Sequence, residues 1–142
     1  MMSPDLISPS LDGIVRQSGV CRGLAEPRSL DRRLDTATMD AAHLFINQIK
    51  DRYPIVASFV YGSRARGTHR PDSDVDLAVV LKGAIGNRFS IARDMAGTAF
   101  HVMMETGLMV EAFPFSVAEF EHPEKFSNPR LIETIRRDGI KM

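Results

Sequence analysis

The chain has 142 residues, 44% of them hydrophobic and 25% charged, a balance that excludes a disordered or collagen-like polymer and fits one domain. Lys plus Arg total 18 and Asp plus Glu total 18, so the formal charge is zero and a broad cationic surface for nucleic acid or anionic lipid is excluded. No apolar run approaches the roughly eighteen residues of a membrane helix, and no secretory signal opens the chain. The single Cys21 allows neither an internal disulfide framework nor a cysteine-based zinc cluster. The expectation is a soluble cytoplasmic domain with no membrane and no direct nucleic-acid contact.

Residues 1–35 carry Pro4, Pro9, Pro27, Gly13, Gly19 and Gly23 without a sustained period of either kind. They read as a flexible extension that buries too little apolar surface to offset its ordering entropy. Residues 36–142 read as the domain. Ala42, Phe45, Ile46, Ile49 and Tyr53 recur at helical steps until Pro54 ends the run. Ile55–Tyr61 is rich in β-branched and aromatic residues and predicts a buried strand. A turn-rich stretch, Gly62–Ser73, leads to a second strand over Asp74–Leu81. Phe89, Ala92, Met95, Ala96, Ala99 and Met103 predict an apolar helix stripe closed by Gly107. A third strand is expected over Leu108–Phe115. Ser116 and Glu119 form a capping box that opens a short helix ended by Pro123. Asn128 as N-cap, Pro129 at the first position and Gly139 at the end bracket the last helix. Alternating helices and strands define an α/β (α+β) class with a small mixed sheet packed by helices.

The chemistry concentrates in Gly62-Ser63-Arg64-Ala65-Arg66-Gly67 followed by Asp72-Ser73-Asp74-Val75-Asp76-Leu77. Residues two apart on a strand share a face, so Asp74 and Asp76 project together with Ala78 beside them, while Val75, Leu77, Val79 and Leu81 point into the core. Two neighbouring carboxylates at the edge of an apolar strand repel each other and lose solvation. A divalent cation relieves both, and Mg²⁺ suits one or two carboxylates completed by phosphate oxygens. Gly62 permits a sharp bend and a close approach of phosphate to the main chain, and a short helix starting at Ser63 would aim N–H groups at an anion. Together the two segments describe a site for a metal-bound nucleoside triphosphate.

Blander readings compete at each position. Gly-Ser after a strand is most often an ordinary turn, and Asp72 fits a solvated acidic turn. An EF-hand beginning at Asp72 fails, because Leu77 and Gly83 stand where Gly and Glu are needed. A Walker A loop fails for want of G-K-S/T. Arg64, Arg66, His69 and Arg70 form a basic cluster able to meet phosphate charge or an acidic partner. His69 and Arg70 fit a solvated turn face better, and Arg66 lies inside the motif. His43, His101 and His122 have no metal-like spacing. Met95, Met103, Met104 and Met109 read as core filler and partner-surface material.

The pattern G-S-x-x-R-G followed by D-S-D-x-D-L resembles the polymerase-β-like nucleotidyltransferase superfamily, and within it the minimal nucleotidyltransferases, or MNT proteins. The likeness spans residues 39–142 and includes the Phe115-Ser116 step and the closing Ile135-Arg136-Arg137-Asp138-Gly139-Ile140. The resemblance implies the fold of that superfamily, a triphosphate positioned by Gly62 and Ser63 with Arg66 nearby, and two Mg²⁺ ions on Asp74 and Asp76. Glu111 is the acidic candidate for a third catalytic carboxylate, against the alternative of a strand-edge charge. The implied reaction moves AMP from ATP to an acceptor. It also implies a partner, a helical toxin of the HEPN class, for which the MNT protein serves as antitoxin by attaching AMP. Two alternatives remain: an antitoxin that acts by binding alone, and an aminoglycoside-type transferase working as an oligomer. A homo- or hetero-oligomer is compatible with each.

Overall fold

Residues 34–142 are described in a computed structural model, and residues 1–33, with most of the expected extension, lie outside the described residues. Leu34 and Asp35 already belong to the packed domain, since Leu34 is buried in the core and Asp35 contacts Arg64 and His69. The first helix, α1 (Thr36–Ile49), stops before Tyr53, and β1 (Ile55–Tyr61) follows Pro54. After β1 come a single-turn helix, α2 (Ser63–Arg66), and then β2 (Val75–Leu81). The long α3 (Arg88–Thr106) closes on Gly107 in the left-handed region, as the sequence predicts. It is followed by β3 (Val110–Ser116), α4 (Val117–Glu121), a 3₁₀ turn (Pro123–Lys125), α5 (Pro129–Asp138) and β4 (Ile140–Lys141).

The strands form one mixed sheet in the order β3-β2-β1-β4. β1 pairs antiparallel with β2 and β4, whereas β2 and β3 run parallel. The parallel pair requires a long crossover, which α3 supplies. Val75, Leu77, Val79 and Leu81 of β2 pack with Phe45 and Ile49 of α1 and Met95 and Val102 of α3. Ala78 and Val80 face the other way, into a layer of Phe115, Phe120, Phe126, Ile132 and Ile135. Phe59 stacks on Phe120 with centroids 5.4 Å apart, and Phe115 meets Phe126 at 5.3 Å. With both faces covered, β2 is necessarily an almost unbroken apolar run, and polar residues fit only at its ends.

Three features depart from the sequence reading. The buried face of α3 is Met95, Thr98, Ala99 and Val102, whereas Phe89 is 68% exposed. Asn128 precedes α5 without a side-chain cap, and Gly139 ends it in an extended conformation before the unanticipated β4. Arg64, grouped in the sequence with phosphate-facing cations, is turned inward and 3% exposed. Its guanidinium donates to Ser73 O (3.0 Å), Pro71 O (3.0 Å) and Thr38 Oγ1 (2.7 Å) and lies 3.7 Å from Asp35. Thr38 donates in turn to Asp35. Arg64 therefore ties α1 and α2 to the turn that leads into β2. The capping box at Ser116 and Glu119 is present as expected, and Glu119 also receives a two-pronged contact from Arg88.

Replacing Arg64 by Met removes the donor shared by the Ser73 and Pro71 carbonyls and the buried Thr38 hydroxyl, and is expected to cost about 3 kcal/mol in urea unfolding. Amide exchange over residues 70–73 should accelerate with it. Unchanged stability would show that the guanidinium does not hold this turn.

Candidate active site

β1 ends at Tyr61, and Gly62 then takes φ 76° and ψ −154°, a combination open essentially to glycine alone. The bend lays the main chain against β2, so closely that a Cβ on Gly62 would collide with Oδ2 of Asp76. Ser63 is the first residue of α2, and the Gly62 carbonyl accepts from the N–H groups of Ala65 and Arg66 at 3.1 Å. The short helix is forced shut by a second left-handed glycine, Gly67, whose N–H donates to Ser63 O.

Across the sheet, Tyr61 stands opposite Asp76 on the antiparallel side, and Asp76 stands opposite Glu111 on the parallel side. Residues directly opposed in a sheet share a face, so Tyr61, Asp76 and Glu111 form one polar row at the end of three strands. The next row on that face, Phe59, Ala78 and Phe113, is apolar. Asp74 is exposed, just ahead of β2, where the Val75 N–H donates to Met109 O at 2.8 Å.

Burial raises the pKa of Asp76 to about 6, helped by the charges of Glu111 and Asp74 and by a hydrogen bond with Glu111, while Arg66 opposes the shift. Burial, then the negative charge of Asp76 and Glu111, pushes the Tyr61 phenol up to about 12. Sequence reasoning left Tyr61 as the last residue of a buried strand. Its place directly before the glycine bend is the signal that could have marked it.

The structure thus brings Gly62, Arg66, Asp74, Asp76 and Glu111 to one end of the sheet, with Ser63 heading the adjoining helix. Arg64 is not part of this set. Arg70 and Asp72 form an exposed pair at 3.9 Å, in keeping with a solvated turn. His69 departs from the solvated face expected of it: it is mostly buried, its Nε2 lies 3.7 Å from Asp35, and among the described residues its Nδ1 has no partner. A cleft of about 700 Å³ opens beside the carboxylates, with Tyr61, Asp74 and Glu111 at its polar end and Ala92, Ala96, Met109 and Phe113 among its apolar walls. That volume suits a small-molecule or side-chain ligand.

Among the described residues, no three His, Cys, Asp or Glu side chains gather tightly enough to hold a metal ion by themselves. The register and the electrostatics point to a looser arrangement, in which Asp76 and Glu111 stand opposite each other on β2 and β3 and Asp74 adds its field. Such a donor set fits Mg²⁺, which takes one or two carboxylates and completes its shell with water and substrate phosphate rather than with a protein cage. Asp74, Asp76 and Glu111 are the residues that would hold it.

Residues 43–101 match the family model described as nucleotidyltransferase domain, which supports a nucleotidyl-transfer function. The matched stretch contains the Gly62-Ser63 bend, Asp74 and Asp76 and stops short of Glu111. A crystal structure from Sulfolobus solfataricus, provisionally described as a nucleotidyltransferase, is similar at 13% identity and a TM-score of 0.39, over 75% of this chain and 86% of that one. No curated protein matches the chain. Among the described residues, no helix is long and apolar enough to cross a membrane.

The raised pKa of Asp76 carries a sign. The folded chain holds this proton up to about pH 6, whereas the unfolded chain releases it near 3.8. Folding is therefore unpenalised below about pH 4, and the stability is lost as pH rises through 6. In metal-free protein, Asp76→Asn is expected to match the wild type at pH 4 and exceed it at pH 8 by about 1 kcal/mol, a value reduced for solvent screening. Urea midpoints at the two pH values measure the difference. Equal midpoints at pH 8 would mean that neither burial nor the neighbouring carboxylates penalise the Asp76 charge.

Proposed function

We propose that the protein transfers AMP from ATP to a hydroxyl group of a partner protein, acting as the antitoxin of a helical HEPN-type toxin. The observation that carries the transferase reading is the meeting of the glycine bend with Asp76 and, through the strand register, with Glu111. The family match over residues 43–101 supports the same chemistry. The protein acceptor rests on the resemblance of the G-S-x-x-R-G and D-S-D-x-D-L segments to MNT proteins, and the apolar-walled cleft beside Asp74 and Glu111 gives an acceptor a place to enter.

In this reading Gly62 and Ser63 receive the triphosphate where the main chain is most closely approached, and Arg66 balances its charge. Asp74, Asp76 and Glu111 would hold two Mg²⁺ ions, which supply neutralisation of phosphate charge when bound. The acceptor oxygen forms its bond to the α-phosphorus as the bond to the β-phosphate oxygen breaks, and pyrophosphate departs. Glu111 takes the proton from the acceptor hydroxyl. Tyr61 keeps its own proton throughout, since its phenol is pushed up to about 12 by burial and by the two carboxylates. It walls the site without supplying a base.

A second reading, an antitoxin that works by binding alone, is favoured by the lack of a ready three-ligand metal cage among the described residues. One experiment separates the two: the protein is incubated with α-labelled ATP, Mg²⁺ and a candidate helical HEPN-type partner, sought first in the adjacent gene. Transfer predicts label on the partner, lowered at least about 100-fold by Asp76→Asn, because loss of a direct ligand exceeds the usual 10–100-fold cost of a supporting group. A stable complex with no label, in wild type and variant alike, would sink the transferase reading and leave the binding one.

A further inference from the structure

The described residues include four large hydrophobic side chains that are well exposed, and three of them lie on α3: Phe89 (68%), Phe100 (51%) and Met104 (68%). At 3.6 residues per turn, Phe89, Arg93, Ala96, Phe100 and Met104 fall on one stripe, opposite the buried face of Met95, Thr98, Ala99 and Val102. Steps of four, three, four and four residues are those of a helix that packs along another helix. Among the described residues, nothing covers this stripe. A large aromatic side chain carries about 150–250 Å², of which Phe89 and Phe100 expose one-half to two-thirds, so with Met104 the stripe approaches the few hundred Å² at which an apolar patch marks an interaction surface.

The stripe has a second property, which indicates its occupant. Placed antiparallel to itself about a two-fold axis between Ala96 and Gly97, it matches residue for residue. Phe89 meets Met104, a sulfur–aromatic pair. Arg93, whose guanidinium already lies 4.8 Å from the Phe89 ring centroid, meets Phe100. The two smallest side chains, Ala96 and Gly97, fall at the crossing, where they let the backbones approach. Self-complementarity of this kind is the requirement for an isologous dimer. An anionic membrane is a poorer fit, because α3 sets Asp94 and Glu105 against Arg88 and Arg93 and so lacks the cationic face of an interfacial helix.

We propose that α3 is a homodimer interface, two copies of this chain packing antiparallel along Phe89, Arg93, Ala96, Phe100 and Met104. The inference rests on the exposed face of α3, which borders the candidate site at Ala96, a wall of the cleft.

Sedimentation of the full-length chain tests it. The wild type should run at twice the chain mass, and both Phe100→Glu and Met104→Glu should weaken self-association about 100-fold or more while keeping the wild-type circular dichroism. Because both side chains are exposed, neither substitution should disturb folding. Cysteine crosslinking fixes the register, with Cys21 replaced by Ser. Gly97→Cys, beside the axis, should form a disulfide with its own copy. Phe89→Cys should not, since the two copies of residue 89 would stand about 22 Å apart, but it should crosslink to Met104→Cys in a mixture. A chain that remains monomeric at about 100 μM, a dimer that survives both glutamate variants, or self-crosslinking of Phe89→Cys would each overturn the proposal.

Discussion

Two carboxyl groups held side by side on adjacent parallel strands, Asp76 and Glu111, are the constraint around which this end of the molecule is arranged. Burial first, and then the charge of Glu111, raise the pKa of Asp76, so the pairing is unfavourable in isolation. The fold tolerates it because both strands are locked by apolar layers: Val75, Leu77 and Val79 against one set of helices, Ala78, Val80 and Phe115 against the other. A position that holds like charges together against their repulsion is prepared for something that neutralises them. The site lies at strand ends because no other part of β2 can carry a charge.

The surrounding devices all limit movement of that pair. Gly62 brings the main chain onto Asp76 in a conformation that no side chain would permit. Arg64 fastens the 70–73 turn from below through carbonyls of the turn itself, and so fixes where Asp74 emerges. The hydrogen bond from Val75 to Met109 O sets the starting point of the β2–β3 ladder and hence the register that aligns Asp76 with Glu111. A slip of one residue would send every side chain of β2 to the opposite face.

Much of this was legible from the residue pattern, for identifiable reasons. Ile55–Tyr61 announces itself as a strand because both of its faces are buried. Gly107 and the Ser116–Glu119 capping box end and begin helices by purely local chemistry, which needs no tertiary context. The two-residue repeat puts Asp74 and Asp76 on one strand face, whereas Asp74 lies just ahead of β2 and acts on Asp76 through its charge. What escaped depends on partners distant in sequence. Arg64 looked like a phosphate ligand because nothing local reveals that Thr38, Pro71 and Ser73 converge on it. Phe89 looked like core because periodicity gives the spacing of an apolar stripe and not which way it turns. Two residues of β4 carry too little pattern to be seen without β1 beside them. Tyr61 gained its place in the polar row only through cross-strand register.

The central claim is that the glycine bend and the neighbouring carboxylates form a single pocket for a metal-bound nucleotide. Its most direct test is a crystal of the protein grown with Mn²⁺ and a non-hydrolysable α,β-methylene analogue of ATP, with the metal located by anomalous scattering. The account predicts an anomalous peak coordinated by Asp76, with the triphosphate lying along Gly62 and Ser63. Nucleotide and manganese bound elsewhere, or a peak in contact with none of Asp74, Asp76 and Glu111, would contradict it.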